Sequence, residues 1–204
     1  AAALMVVVLL GVYRNAFVPS KTPVVAHIVG LSTSAPGVRA YVIREGIRLK
    51  LLQGMNLKAG DTLHSGASAI DVSFADASRI HLARNTTVQL EEASSSLMKP
   101  SVAPHLVLRQ GELLAQIAPR PADAPARLAT GAIDVTVHGT RFWLRAGDDS
   151  VGDRIAMLDG SVSLRDRARS VAAPVALSAG KSAEMTAGGL EVRGEERRGD
   201  VAGS

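Results

Sequence analysis

Several side chains in this sequence are of types that do chemistry, and their spacing decides what they can do. Ser178 and Lys181 stand in Ser-Ala-Gly-Lys, the spacing by which a lysine activates a serine for acyl transfer. That motif works from the start of a helix beside two partner motifs, and neither partner occurs in the chain. A glycine turn with a polar cap is therefore the reading. Asp148, Asp149 and Asp153 have the side chains of a calcium loop but miss its Asp-x-Asp-x-Asp-Gly register, so a solvated hairpin tip is expected. Among His27, His64, His81, His105 and His138, no two lie at a metal-ligand spacing, and His81 and His138 fall on the polar faces of their strands. With no cysteine, thiolate ligands, disulfides and a cysteine nucleophile are excluded. No catalytic, metal-binding or cofactor-binding residue is assigned, no cofactor is expected, and the chain is not read as an enzyme.

Contact is the chemistry left over. Arg165, Arg167 and Arg169 alternate, so on a strand they would line one face as a basic stripe suited to an acidic partner or anionic lipid. Asp166 interrupts the charge, so a solvated loop is favoured over that reading. Trp143 alternates with Phe142 and Leu144; if those two face inward, the indole faces out as a contact candidate, against partial burial under a neighbouring loop. The net charge of +4 comes from 23 basic and 19 acidic residues dispersed along the chain, and aromatics make up only 3%. Nucleic-acid binders gather cations into patches and add stacking rings, so nucleic acid is not expected as a partner.

The elements that must position these residues are short strands. Ile70, Val72 and Phe74 alternate with polar or small neighbours, as do Ile80 and Leu82, Val88 and Leu90, Leu113, Ala115 and Ile117, and Ile133, Val135 and Val137. Such a period of two predicts half-buried strands. Glu45-Gly46, Ala59-Gly60-Asp61 and Arg84-Asn85-Thr86 punctuate them as turns, and Asp159-Gly160 reads as a hairpin between Met157 and Val162. No useful helical period appears between Val38 and Val192, so the folded part is all-β. Within Thr136 to Leu144, Gly139 marks a bend or a close backbone approach.

Ala1 to Val12 is uninterrupted apolar sequence, followed by Tyr13 and Arg14. As a helix it would span about 18 Å against about 30 Å of hydrocarbon, so it is expected to be part of a transmembrane helix. A signal-peptide remnant and a buried soluble helix are the alternatives, but no small-residue cleavage region follows. The organisation expected is a partial transmembrane helix over 1–14, a Pro/Ser-containing stalk over 15–37 with a short extended piece at Val24–Ile28, a β-domain over 38–192, and a disordered tail over 193–204. That anchor makes the lipid bilayer a partner.

Six elements in order carry a family resemblance: Gly60-Asp61-x-Leu63; Phe74-Ala75-Asp76-Ala77-Ser78-x-Ile80; Leu108-x-x-Gly111-Glu112-Leu113; Val137-x-Gly139-Thr140-x-Phe142; Leu158-x-Gly160-x-Val162; and Leu177-x-Ala179-Gly180. Together they resemble the FecR domain over roughly Val38 to Met185. The resemblance implies a fold of stacked short antiparallel strands, β-solenoid-like or sandwich-like, in which Gly60, Asp61, Gly111, Gly139, Thr140, Phe142, Gly160 and Gly180 are structural positions. It also implies a single-pass inner-membrane protein with its β-domain in the periplasm. Such a domain binds a protein partner of the cell envelope in signal transduction or sigma-factor regulation. An envelope glycan or peptidoglycan module is the alternative. Ala77 stands where the family carries glycine, so a different turn is expected there.

Overall fold

The structure, a computed structural model, describes residues 24–33, 39–91, 103–147, 151–169 and 172–194. The expected membrane helix, most of the stalk, Asp148, Asp149 and most of the tail lie outside the described residues. Every element within them is a strand: β1 (Val24–Thr33), β2 (Tyr41–Arg44), β3 (Ile47–Lys50), β4 (Asn56–Lys58), β5 (Thr62–His64), β6 (Ser68–Phe74), β7 (Arg79–Leu82), β8 (Thr87–Leu90) and β9 (His105–Gln116) form the first half. The second half holds β10 (Ala126–Ala129), β11 (Ile133–Val137), β12 (Arg141–Ala146), β13 (Arg154–Asp159), β14 (Ser161–Asp166), β15 (Val175–Ser178), β16 (Lys181–Thr186) and β17 (Gly189–Gly194).

These strands make two sheets sharing one long strand. Sheet I runs β4-β1-β6-β7-β9-β12-β13-β16-β17, and sheet II runs β3-β2-β5-β8-β9-β10-β11-β14-β15. Among the described residues only the β9-β10 pairing is parallel. The first half of β9 belongs to sheet II and the second to sheet I. Thr87 faces Gln110 while Val88 faces Leu108, so Arg109 is the extra residue of a bulge that bends the strand from one sheet into the other.

The alternation predicted for the strands holds. Ile70, Val72 and Phe74 of sheet I and Leu63, Val88, Val135 and Leu164 of sheet II point inward into one continuous core, in which Phe142 and Leu144 are fully buried. With so few aromatic rings, the layer between the sheets is filled by aliphatic side chains. Phe142 is an aromatic exception, and the largest fully buried side chain among the described residues.

Three expectations about the elements change. The short piece at Val24–Ile28 is the start of a ten-residue strand that pairs with β4 and β6, so the β unit reaches back at least to Val24. Ala26 and Ile28 are buried while His27 is exposed, the alternation of a half-buried strand. Asp159-Gly160 is not a hairpin: β13 lies in sheet I and β14 in sheet II, so the turn is a corner between sheets. Ala77 keeps the turn glycine would make, with φ +68°, instead of adopting another.

Candidate functional site

Because antiparallel strands begin and end at two long edges, the chain must cross between the sheets at those edges. One of them collects the corner motif positions except Gly111, which lies at the other edge with φ +87° and with its Cβ position 2.6 Å from Thr86 Oγ1. Gly60 and Asp61 connect β4 to β5, His138 to Thr140 connect β11 to β12, Gly160 connects β13 to β14, and Ala179-Gly180 connects β15 to β16. Successive corners touch. The Ile117 amide donates to the Thr140 carbonyl at 2.9 Å, the Ala179 amide donates to the Gly160 carbonyl at 2.9 Å, and a Cβ at Gly160 would lie 2.8 Å from Thr140 Cγ2. Gly139 has φ +137°, and a Cβ there would lie 2.8 Å from the Pro119 Cα. The bend expected at Gly139 is thus a crossing between layers under a close backbone approach. The Thr140 hydroxyl is buried without a hydrogen-bond partner among the described residues.

Asp61 is itself buried, accepts both Nε and Nη2 of Arg44 at 2.8 and 2.7 Å, and caps the Lys58 amide at 2.8 Å. The hydrogen bond to Asp61 raises the Arg44 pKa further. Arg120 and Asp76 form a second ion pair at this edge, at 2.5 Å. Both pairs hold corners together.

The opposite edge is built from polar side chains. Ser65 Oγ accepts the Thr86 amide at 2.8 Å, and Thr86 Oγ1 accepts the Glu112 amide at 3.1 Å. Asp153 is buried, accepts the Thr130 hydroxyl, the Ala132 amide at 2.9 Å and the Gly147 amide at 2.7 Å, and so ties a loop of sheet I to one of sheet II. That corrects the solvated-tip expectation for Asp153. Its carboxylate replaces the water that loop amides would otherwise bind. Nothing in its spacing distinguished it from its neighbours.

Trp143 sits on the outer face of sheet I, half-buried, between Phe142 and Leu144, which point inward. Its cross-strand neighbours are Leu114 on β9 and Ala156 on β13, both half-buried. Arg141 and Arg145 flank it along β12, and the Arg145 guanidinium lies 5.9 Å from the indole centre. The same face continues through Arg79 on β7 and Arg154 on β13. Leu114 and this arginine frame were missed in the sequence because four strands contribute one or two residues each.

The candidate stripe at Arg165, Arg167 and Arg169 does not form, because β14 ends at Asp166. Arg165 lies on the outer face of sheet II opposite Asp134, beside a depression of about 350 Å³. Arg167 turns back to Asp134 at 3.4 Å and donates to the Thr130 carbonyl at 2.9 Å, while Arg169 lies 4.0 Å from Asp166. Acids thus face all three, and only Arg165 stands on a strand.

The remaining chemical candidates are separated by the fold. Ser178 closes β15 and Lys181 opens β16, both exposed at a corner with no helix between them. His81 meets Asp71 at 2.7 Å on the exposed face of sheet I. His64 stacks on Tyr41 at 4.4 Å, and burial, with a smaller contribution from Arg48, lowers its pKa. Among the described residues, no three His, Cys, Asp or Glu side chains are grouped to hold a metal, and no helix is long and apolar enough to cross a membrane.

In fold, this two-sheet arrangement is similar to the crystal structure at 2.50 Å of a protein of Parabacteroides distasonis described as a "putative anti-sigma factor", with a TM-score of 0.50 and 16% identity over 62% of this chain. The alignment spans 55% of that protein's length. A second structure of such a protein from that organism, at 1.65 Å, has a TM-score of 0.49 and 16% identity over 61% of this chain and 55% of its own. No curated protein matches. The FecR family, described as FecR protein, matches residues 61–163, from the buried Asp61 to Ser163, just past the Gly160 corner. The chain belongs to the FecR family.

Proposed function

We propose that this chain is the periplasmic contact domain of a single-pass membrane protein that passes a signal by binding another protein, with sigma-factor regulation as its output. The observation that carries the reading is the FecR match across the corner framework. The "putative anti-sigma factor" of similar fold agrees with it. The motif positions are scaffold, since the glycines, Thr140 and Phe142 form corners and core. Function then belongs to the faces the scaffold displays. The apolar block Ala1 to Val12, ending at Tyr13-Arg14, supports the anchor and supplies the bilayer as the second partner.

Fusing an alkaline phosphatase after Ser204 of the full chain tests export, fractionation tests the anchor, and transcript profiling with and without the chain tests the output. An active fusion that sediments with membranes, and a defined gene set that changes, are expected. A soluble chain with an inactive fusion would overturn the reading.

A further inference from the structure

The geometry points to the outer face of sheet I as the docking surface of an acidic protein segment that places an apolar side chain against Trp143. This rests on the protein-binding reading above and assigns its surface and the chemistry of its partner. Leu114, Trp143 and Ala156 are cross-strand neighbours and make an apolar lane over β9, β12 and β13. Arg79 and Arg141 stand on one side of the lane, both in register with Gln116, and Arg145 and Arg154 stand paired on the other. Rows two residues apart along a strand are separated by about 7 Å, so the four cations frame the lane within the reach of one bound segment.

Three of the four arginines face a carboxylate across the ladder without closing on it: Arg141 stands opposite Asp159, Arg145 opposite Glu112 and Arg154 opposite Glu184. No ion pair engages them among the described residues, and Arg145 Nε is buried without a hydrogen-bond partner. By contrast, Arg193 on the same sheet is already paired with Glu184 at 3.2 Å. A half-buried tryptophan ringed by such arginines has the composition of a binding hot spot. Its complement is a carboxylate-bearing segment, with arginine forks donating to carboxylates and the lane accepting an apolar side chain.

The distribution of acids favours a protein over a membrane. Asp71 and Glu191 lie toward the two ends of the face, while Glu112, Asp159 and Glu184 stand beside Arg145, Arg141 and Arg154 around the lane. A flat anionic lipid surface would press against those acids as well as the arginines. A narrow segment can set its carboxylates on the guanidinium forks and its apolar side chain on the lane while passing between those acids.

Trp143 is the single tryptophan of the chain, so its fluorescence reports on the site directly. The full chain in neutral detergent is titrated with a synthetic peptide of glutamates around a central leucine pair, and with a peptide in which glutamine replaces glutamate. Vesicles of phosphatidylglycerol and phosphatidylethanolamine form a third arm. A blue shift with the acidic peptide alone is expected, weakening as salt rises and at least about tenfold weaker in R141E/R145E, with Arg48→Glu on sheet II as the unaffected control. No response to the acidic peptide, equal response to the glutamine peptide, indifference to charge reversal, or a response to vesicles alone would overturn the assignment.

A photo-crosslinking residue in cells separates this assignment from the reading it rests on. A protein crosslinked from Ala156 and lost in R141E/R145E supports both. One crosslinked only from Thr136 on sheet II leaves protein binding standing and overturns this surface. No crosslinked protein from either face overturns both.

Discussion

The two long edges of the sandwich meet one requirement by different chemistry. At each, the chain must leave a sheet, turn without stranding its backbone amides, and enter the other sheet or the next strand. At the edge holding Gly60, Gly139, Gly160 and Gly180, the backbone itself adopts conformations that ordinary residues resist, and carbonyls of neighbouring corners accept the amides. At the edge holding Ser65, Thr86, Thr130 and Asp153, buried side chains supply the acceptors. The first edge relies mainly on conformational freedom, whereas the second adds desolvated polar groups to the positive φ of Gly66, Asn85 and Gly111. Substitutions should therefore fail for different reasons at the two edges.

The largest effect is expected at Asp153. Alanine there leaves the Thr130 hydroxyl and the amides of Ala132 and Gly147 without their acceptor, at roughly 1 kcal/mol each, or about 3 kcal/mol in all. Urea unfolding of the full chain measures it. A loss below about 1 kcal/mol would mean that water replaces the carboxylate and that the edge is not the sealed hub its geometry indicates.

Next come two glycines of the other edge, which separate conformation from crowding. Both have positive φ, but a Cβ at Gly60 meets nothing within 4 Å, whereas one at Gly139 lies 2.8 Å from the Pro119 backbone. Gly60→Ala should cost about 1–2 kcal/mol, the left-handed penalty alone. Gly139→Ala should cost about 2–3 kcal/mol, because backbone strain is joined by a contact that cannot move aside. Equal losses in thermal unfolding would show that Pro119 yields.

The same pair of edges explains what was legible in the sequence. Glycine is a visible signature of an unusual backbone, so Gly60, Gly139, Gly160 and Gly180 mark their corners by residue type alone. Alternation likewise reveals the strands, since a period of two follows from the pleat. Whether a corner joined neighbours in one sheet or crossed between two was hidden, because Asp159-Gly160 suits either and only the partners of β13 and β14 decide. Asp153 was hidden for a different reason: a buried hub and a solvated loop tip use the same residue type. The frame around Trp143 draws on β7, β9, β12 and β13, whose register no local pattern contains.

Two threonines sharpen the contrast at a smaller scale. Thr130 Oγ1 accepts the Ile133 amide at 3.0 Å and donates to Asp153, whereas the buried Thr140 hydroxyl has no partner among the described residues. Thr130→Val should cost about 1–2 kcal/mol, since removing one side of a buried hydrogen bond strands the other. Thr140→Val keeps the shape and removes only an unpaired hydroxyl, so its cost should lie near zero or favour the fold. A loss at Thr140 equal to that at Thr130 would place an unseen partner at the glycine edge and erase the distinction.

The smallest change should stabilise. Ala77 holds φ +68° at the tip between β6 and β7, a turn tied down by the Ser78 amide on Asp76 Oδ1 at 2.9 Å and by Asp76 to Arg120 at 2.5 Å. Those contacts fix the turn, so its residue bears the left-handed penalty instead of escaping to another conformation. Glycine relieves that penalty of about 1–2 kcal/mol but adds freedom to the unfolded chain worth up to about 1 kcal/mol. The net expectation for Ala77→Gly is a gain of a few tenths to about 1 kcal/mol, seen as a higher midpoint in thermal unfolding. Arg120→Ala should reduce the gain, because without its ion pair the wild-type turn is freer to relax. An Ala77→Gly gain that survives Arg120→Ala unchanged would show that the corner geometry, and not the ion pair, holds Ala77 in place.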